Sequence, residues 1–252
     1  PARPTVWTPP PTSRASESWW PRVPEVRIGP VSLSNSGPLV LIAGMNVLET
    51  RDLTLRVADV LRTEAERHRL PLVFKASFDK ANRSSIDSWR GPGIDGLQWL
   101  ADVHDATGLP VLTDIHEPEQ APVAAEVVHA LQIPAFLCRQ TELLRAACAT
   151  GLPLHIKKMQ VMAAQDMAQV VDKCDRFGHG GLVLCERGTL FGYGNLVVDF
   201  VGLERLKTYG WPVSFDVTHA VQLPGALGNA TGGRRAAVSG LAVAGASVAL
   251  AA

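Results

Sequence analysis

Short segments that are almost continuously apolar alternate along the chain with longer segments in which apolar and polar residues are mixed. The short segments predict strands of a parallel sheet, because strands covered on both faces lose the alternation of a half-exposed strand. These predicted strands are Leu39–Asn46, Leu72–Ser77, Pro110–His116, Ala130–Ala135, Pro153–Met159, Leu182–Arg187 and Pro212–His219. The longer segments predict helices at Glu49–Arg69, Ile94–Thr107, Glu119–His129, Thr141–Thr150, Gln165–Phe177, Leu196–Tyr209 and Gly233–Ala244.

The two ends of this pattern complete the predicted architecture. Val26–Ser34 predicts an N-terminal β-hairpin whose turn lies at Gly29 and Pro30. Ser247–Ala252 predicts the start of an eighth strand. So many strand–helix units favour an α/β fold of the (β/α)8 TIM-barrel type over an open sheet, which usually has fewer strands. We expect one barrel domain over residues 24–252 that ends within the eighth strand and lacks the last helix.

Residues 1–23 differ from the rest of the chain because they are rich in proline and contain Trp7, Trp19 and Trp20. They include no apolar core of a signal peptide. We interpret them as a disordered leader, or as an extension from a misassigned start of the reading frame. A proline-rich docking segment for a partner is the alternative.

Composition narrows the classes of function. The chain has 24 Lys and Arg against 24 Asp and Glu, so its formal net charge is zero. This balance argues against nucleic-acid binding and against a basic membrane-binding surface. No apolar run is long enough to span a bilayer. The four cysteines form no CxxC pair, which indicates free thiols in a reducing compartment, and we therefore expect a cytoplasmic protein.

The most unusual segment is a long loop, Lys75–Gly93, which follows a predicted strand. Four cations and three neutral hydrogen-bond donors lie in it: Lys75, Lys80, Arg83, Arg90, Asn82, Ser84 and Ser85. Ligands of α/β folds bind at the carboxyl ends of strands. Cations and hydroxyl groups gathered there suit a phosphorylated anion. The alternative is a solvated, basic surface loop.

Polar residues also follow the other predicted strands, which a barrel would bring to one face. These residues include Asn46, Asp114, Arg139, Lys157, Gln160, Arg187, Asp216 and His219. Alternation along the fifth predicted strand distinguishes two adjacent lysines, Lys157 and Lys158, because only one of them can face the same side as the other polar residues. If His155 points to the inside of the barrel, Lys157 does so too, and Lys158 faces the surrounding helices.

Several of these motifs resemble the 3-deoxy-D-manno-octulosonate 8-phosphate synthase family. The resemblance runs from about Val26 to Ala252, and the matching segments are Ala43–Glu49, Phe74–Ser85, Arg90–Gly93, Thr113–Pro118, Ile133–Thr141, Ile156–Lys158, Cys185–Gly188, Phe191–Tyr193 and Phe215–Ala220. It implies a homotetrameric (β/α)8 barrel that condenses phosphoenolpyruvate with arabinose 5-phosphate. The product of that family feeds lipopolysaccharide synthesis in Gram-negative bacteria and a pectic polysaccharide in plants.

The resemblance also implies roles for individual residues. Phosphoenolpyruvate is expected to be bound by Lys75, Lys80, Lys157 and Arg187, with Gln160 nearby. The sugar and its phosphate are expected to be bound by Asn82, Arg83 and Ser84, with Asp114 near the sugar hydroxyl groups and Arg139 reaching a neighbouring subunit. Lys157 and His219 are the candidates for proton transfer and charge stabilisation, and their individual roles stay open.

Asn46 indicates that no metal cofactor is used. One class of the family binds a divalent metal through a cysteine at this position, and a neutral amide cannot replace that thiolate. The resemblance therefore points to the metal-independent class, in which Asn46 would orient substrate or water. Two alternatives stay open: a related synthase that uses erythrose 4-phosphate, and an inactive barrel that binds sugar phosphates, since the family's C-terminal acidic segments have no counterpart here.

Overall fold

A computed structural model describes residues 25–190, 194–224, 226 and 231–250. It opens with the antiparallel strands Val26–Ile28 (β1) and Val31–Leu33 (β2), which confirm the predicted hairpin. Gly29 adopts a φ of 56° in the turn between them, a conformation that favours glycine. The predicted leader, residues 1–23, lies outside the described residues.

A parallel sheet forms the centre of the molecule. The strands after the hairpin are Leu41–Met45 (β3), Leu72–Ala76 (β4), Val111–Asp114 (β5), Ala130–Ile133 (β6), Leu154–Lys157 (β7), Leu182–Glu186 (β8), Thr189–Leu190 (β9), Leu196–Val197 (β10), Val213–Phe215 (β11), Gln222–Leu223 (β12) and Gly232–Gly233 (β13). Strands β3 to β8 and β11 make one seven-stranded parallel sheet in sequence order. The short strands form antiparallel pairs, β9 with β10 and β12 with β13.

Helices follow the strands of the sheet in alternation. They are Arg51–His68 (α1), Gly96–Thr107 (α2), Gln120–Ala125 (α3), Thr141–Ala149 (α4), Met167–Phe177 (α5), Phe200–Lys207 (α6), Val217–Ala220 (α7) and Val238–Leu250 (α8). This curled parallel sheet with alternating helices fits the (β/α)8 TIM-like barrel that the sequence pattern predicts, with seven parallel strands in the described residues.

The two faces of the sheet have separate apolar cores. One core contains the hairpin residues Val26 and Ile28 together with Val73 of β4 and Val183 of β8. Phe74, the next residue of β4, belongs to the larger core, to which the helices contribute. The hairpin therefore covers residues on one face of the strands, and the polar side chains at their carboxyl ends are left for a binding site.

The predicted eighth strand is wrong over its first four residues, and its last two residues lie outside the described part of the chain. Residues from Ser247 to Leu250 belong to α8, and the Ser247 hydroxyl donates a hydrogen bond to the Val243 carbonyl one turn earlier. Gly245, which follows the predicted end at Ala244, lies within the helix and does not end it. The residues around it are rich in alanine, which has the highest helix propensity. The helix therefore continues past its predicted end at Ala244.

The predicted strand Pro212–His219 ends at Phe215. The next residue, Asp216, caps the amino end of α7, and its Oδ1 accepts a hydrogen bond of 2.9 Å from the His219 amide. Aspartate is a strong N-cap because its carboxylate accepts free amide protons at a helix start. His219 consequently lies on a short helix after the sheet, and its side chain returns toward the strand ends.

Asn35 is expected to stabilise the end of the sheet. Its amide donates to the Trp211 carbonyl at 2.9 Å and accepts from the Val213 amide at 2.8 Å, bridging backbone groups beside β11. Replacing Asn35 with alanine should lower the free energy of unfolding by roughly 2–3 kcal/mol, since two part-buried backbone groups lose their partner. Urea unfolding measures this change. In the Ser36→Ala control, an exposed hydroxyl is lost, and equal effects of the two variants would contradict the expectation.

Candidate active site

Cations and carboxylates converge at the carboxyl ends of the parallel strands, as predicted. Lys75 in β4 lies with its Nζ 3.2 Å from Oδ1 of Asp114, the last residue of β5. The same ammonium donates a hydrogen bond of 2.8 Å to the Ser77 hydroxyl. Two neighbouring strands are thus joined by an ion pair that is largely shielded from water.

A second cluster lies between β7 and α7. The Lys157 ammonium donates a hydrogen bond to Asp216 Oδ2, and it lies 3.4 Å from His219 Nδ1. His219 Nδ1 is 2.8 Å from the same carboxylate oxygen. One aspartate therefore holds both predicted proton-transfer residues together.

The charges in this cluster follow from burial and proximity. Burial opposes ionisation of Asp216, but Lys157 and His219 outweigh it and hold the pKa of Asp216 well below its ordinary value. Burial lowers the pKa of His219, with a further contribution from Lys157. The imidazole is therefore neutral at neutral pH and can accept a proton, while the lysine beside it can donate one.

Lys157 and Lys158 point to opposite faces of the sheet, as the alternation predicts. Lys158 donates hydrogen bonds to the Met162 carbonyl at 3.0 Å and the Thr189 hydroxyl at 3.1 Å, and it lies 3.4 Å from Glu186 Oε2. Lys158 is thus fully engaged by buried partners, and Lys157 is the lysine of the pair that faces the site.

Arg187 has the clearest features of an anion ligand. Its side chain is buried, and Nη2 donates to Gln222 Oε1 at 3.1 Å. Nε and Nη1 are buried and have no hydrogen-bond partner among the described residues. Gln160 is also buried and its Oε1 is likewise unpaired there. Unpaired buried donors cost free energy, so this guanidinium is arranged for an anion that supplies the missing acceptors.

Lys80 adds a titratable cation to the same region. Burial is the main cause that lowers the pKa of Lys80 to about 8, and the charges of Lys75 and Lys157 act in the same direction. Asp114 and Asp216 partly oppose this shift. Three lysines close enough to repel one another form a site that an anionic ligand would stabilise.

Two residues of the site are absent from the predicted set. The sequence marks Asp216 as a polar residue at a strand end but gives it no role. Its position between Lys157 and His219 depends on the turn that it caps. His116 is buried, its Nε2 is 3.6 Å from Asp114 Oδ2, and burial lowers its pKa. The sequence could have indicated His116, because residues two apart on a strand share a face and Asp114 is two residues away.

The other predicted ligands are more exposed than the residues of the cluster. Asn46, Asn82, Ser84 and Arg139 are exposed. Arg83 is half-buried and donates to the Ile86 carbonyl within its own loop. Within the described part of the chain, no hydrogen bond joins these five residues to the buried cluster, so their predicted roles stay predictions.

The donors present do not fit a metal centre. Within the described ranges, no group of three or more His, Cys, Asp and Glu side chains is placed to hold a metal ion. Asn46 offers a neutral amide at an exposed position.

None of the helices that the structure describes is both long and apolar enough to cross a membrane.

Comparison with known proteins shows what this chain resembles over most of its length. The model of the DAHP synthetase I family matches residues 24–252. Proteins from Hahella chejuensis, Azotobacter vinelandii and Pseudomonas fluorescens are 51%, 52% and 50% identical to this chain over 227 residues. The aligned region is 90% of this chain and 81% of each relative. All three relatives are named 2-dehydro-3-deoxyphosphooctonate aldolase.

Proposed function

The chain belongs to the DAHP synthetase I family, and we propose that it condenses phosphoenolpyruvate with D-arabinose 5-phosphate and water. The products are 3-deoxy-D-manno-octulosonate 8-phosphate and inorganic phosphate. It is an enzyme, a transferase, like the relatives that are half identical to it. The observation that carries the proposal is the cluster of four partly or fully buried cations, Lys75, Lys80, Lys157 and Arg187, since both organic substrates are phosphorylated anions.

The proposed reaction forms one carbon–carbon bond and exchanges, at one carbon, the bond to the phosphate ester oxygen for a bond to the oxygen of water. The methylene carbon of phosphoenolpyruvate attacks the aldehyde carbon of the sugar, whose oxygen takes up a proton. Water adds to the carbon that carries the phosphate ester, and that carbon then expels phosphate to become the keto group. The Lys157 ammonium is suited to donate the proton to the aldehyde oxygen, and the neutral His219 imidazole to take one from water.

The remaining residues are assigned to the two substrates. Lys75, Lys80, Gln160 and Arg187 bind the carboxylate and phosphate of phosphoenolpyruvate, and Asp114 orients sugar hydroxyl groups. The loop residues assigned to the sugar phosphate are Asn82, Arg83 and Ser84. Arg139 is exposed, which is consistent with contact to the sugar phosphate of a neighbouring subunit in a homotetramer. We propose a cytoplasmic enzyme, in keeping with its free thiols.

An assay with two aldose phosphates tests the substrate assignment. Phosphate release from phosphoenolpyruvate is measured with arabinose 5-phosphate and, separately, with erythrose 4-phosphate. The names of the relatives lead us to expect the five-carbon sugar to be the better substrate. A preference for erythrose 4-phosphate would favour the related heptulosonate synthase. Release with neither sugar, together with sugar-phosphate binding by calorimetry, would favour an inactive binding barrel.

We further propose that the reaction proceeds without a metal. Activity should be unchanged in a strong chelator, because the exposed Asn46 amide supplies no soft anionic ligand. Asn46→Cys should not create a metal site in this chain, since His219 and the new thiol are too few ligands. Elemental analysis and assays in chelator check both points. One tightly held zinc or iron per subunit, with loss of activity on chelation, would contradict this proposal.

The alkaline limb of the pH profile is expected to follow Lys80. Its pKa of about 8 means that the ammonium is present below this pH and is lost as pH rises through it. Binding of phosphoenolpyruvate then weakens, so kcat/KM for phosphoenolpyruvate should fall above about pH 8. Lys80→Arg keeps its charge throughout this range and should move the limb to higher pH. Initial rates across neutral and alkaline pH measure the limb, and an unmoved limb would assign it to another group.

A further inference from the structure

Arg90 is a cation of the long loop that the proposed function leaves without a task. Its Nε lies 2.6 Å from Asp79 Oδ1 and its Nη2 lies 3.0 Å from Asp79 Oδ2. This bidentate pair already occupies the guanidinium within the protein. The sequence placed Arg90 among cations suited to a phosphate, but the structure shows that its charge is matched by a carboxylate of its own loop.

The same two residues lie where the ends of the loop meet. The Lys80 amide donates to the Arg90 carbonyl at 2.6 Å, and the Gly93 amide donates to the Phe78 carbonyl at 3.0 Å. Gly91 has a φ of 110°, and a Cβ there would lie 2.5 Å from the Phe78 carbonyl oxygen. The backbone therefore closes tightly, and the segment from Lys80 to Arg90 leaves and returns at one point.

Gln120 connects this closure to the neighbouring strand. Its Nε2 donates to Asp79 Oδ2 at 3.2 Å, and its Oε1 accepts from the His116 amide at 2.7 Å. His116 follows β5, the strand that ends at Asp114. Asp79 is thus held from two sides, by the far end of its loop and by a strand end of the site.

The Asp79 carboxylate is ionised in this arrangement. Burial opposes its ionisation, but the hydrogen bonds from Arg90 and Gln120 outweigh burial and keep the pKa of Asp79 below its ordinary value. The Asp79 side chain is 7% exposed, whereas that of Arg90 is 56% exposed. A half-solvated ion pair contributes little stability, so its two-point geometry is the more significant property.

We propose that Asp79, Arg90 and Gln120 are positioning residues that together form a clamp. The clamp fixes the segment from Lys80 to Arg90, which carries the residues assigned to the sugar phosphate, over the site. The clamp rests on the proposed function, since it would orient Lys80 together with Asn82, Arg83 and Ser84. Arg90 acts only through Asp79 and does not touch substrate. Lys80 is the phosphoenolpyruvate ligand that the clamp would orient, whereas Lys157 and Arg187 come from other strands. The clamp therefore governs the aldose phosphate more than phosphoenolpyruvate.

A double-mutant cycle with Asp79→Asn, Arg90→Gln and both together tests the clamp. Each single variant should raise the KM for arabinose 5-phosphate roughly 10-fold or more, with a smaller change in kcat, because misplaced ligands lose orientation. The double variant should be no worse than the worse single variant, since both changes break one interaction. The alkaline limb of the pH profile of kcat/KM should also move to higher pH. A loosened loop admits water to Lys80, and the loss of burial raises the pKa of its ammonium.

The control is Arg51→Gln, which removes an ion pair with Asp102 between α1 and α2. It should leave both the KM and the alkaline limb unchanged. Additive effects of Asp79→Asn and Arg90→Gln would overturn the proposal, since Arg90 would then act on substrate by itself. Lower thermal midpoints with an unchanged KM and an unchanged limb would overturn it too, because the pair would be structural only.

Failure of the proposed function is distinguishable from failure of the clamp. If wild-type protein released no phosphate with either aldose phosphate, the proposed function would fail. Calorimetry with arabinose 5-phosphate alone would then test the clamp without turnover. Weaker binding in both single variants, but not in Arg51→Gln, would support the clamp, and equal binding in all proteins would overturn it.

Discussion

Replacing Lys157 with methionine is expected to lower kcat/KM by roughly 10³-fold, within the range for losing a positioned proton donor. The variant removes the ammonium that donates to Asp216 and lies 3.4 Å from His219. It also removes a cation that lowers the pKa of His219. The imidazole should therefore be protonated at higher pH, and the acid limb of the residual activity should move upward.

Steady-state rates across the pH range check both parts of this expectation. Lys207→Met is a matched control, because Lys207 pairs with Glu204 on α6, away from the strand ends. It should leave the rate and its pH profile unchanged. A Lys157→Met enzyme with near wild-type kcat/KM and an unmoved acid limb would remove Lys157 from the proton-transfer step.

Replacing Arg187 with alanine is expected to lower turnover and weaken phosphoenolpyruvate binding by roughly 10²-fold or more, the usual scale for losing a preorganised charge donor. The reason is that two of its buried nitrogen donors have no partner among the described residues and remain for the substrate anion. Initial rates at varied phosphoenolpyruvate concentration measure the effect. The exposed Arg176 on α5 is the matched control, and its alanine variant should be unaffected.

A second variant separates this effect from unfolding. Arg187→Met keeps the length of the side chain and removes a buried charge, two of whose donors lack a partner in the described part of the chain. Because such groups cost free energy, its thermal midpoint should stay the same or rise while its activity falls. Kinetics like wild type in either variant would exclude Arg187 from the anion site.

Much of the fold was readable from local patterns. Apolar runs such as Leu182–Cys185, which is bounded by polar residues, predict buried strands. The turn at Gly29 and Pro30 predicts the hairpin in the same way. Lengths were less predictable. Gly245 does not end α8, and the strand before Asp216 ends without a proline or glycine. Helix and strand ends there depend on capping and on packing against neighbours.

The candidate site was predictable in composition but not in pairing. Alternation along one strand correctly separated Lys157 from Lys158, because it depends only on backbone geometry. Asp216 was not recognised as the partner of Lys157, which is 59 residues away in sequence. The Phe191–Tyr193 motif, which is one of the segments that carry the resemblance, lies outside the described residues.

The sequence by itself determined the α/β class, the order of strands and helices, and the gathering of cations at strand ends, because each follows from local periodicity and chain direction. Only the tertiary structure decided which charges meet. It paired Arg90 with Asp79 and left two donors of the buried Arg187 without a partner among the described residues, although both are arginines followed by glycine. The physical reason is that charge pairing depends on distances of a few ångströms between segments far apart in sequence, and only the packed barrel sets those distances.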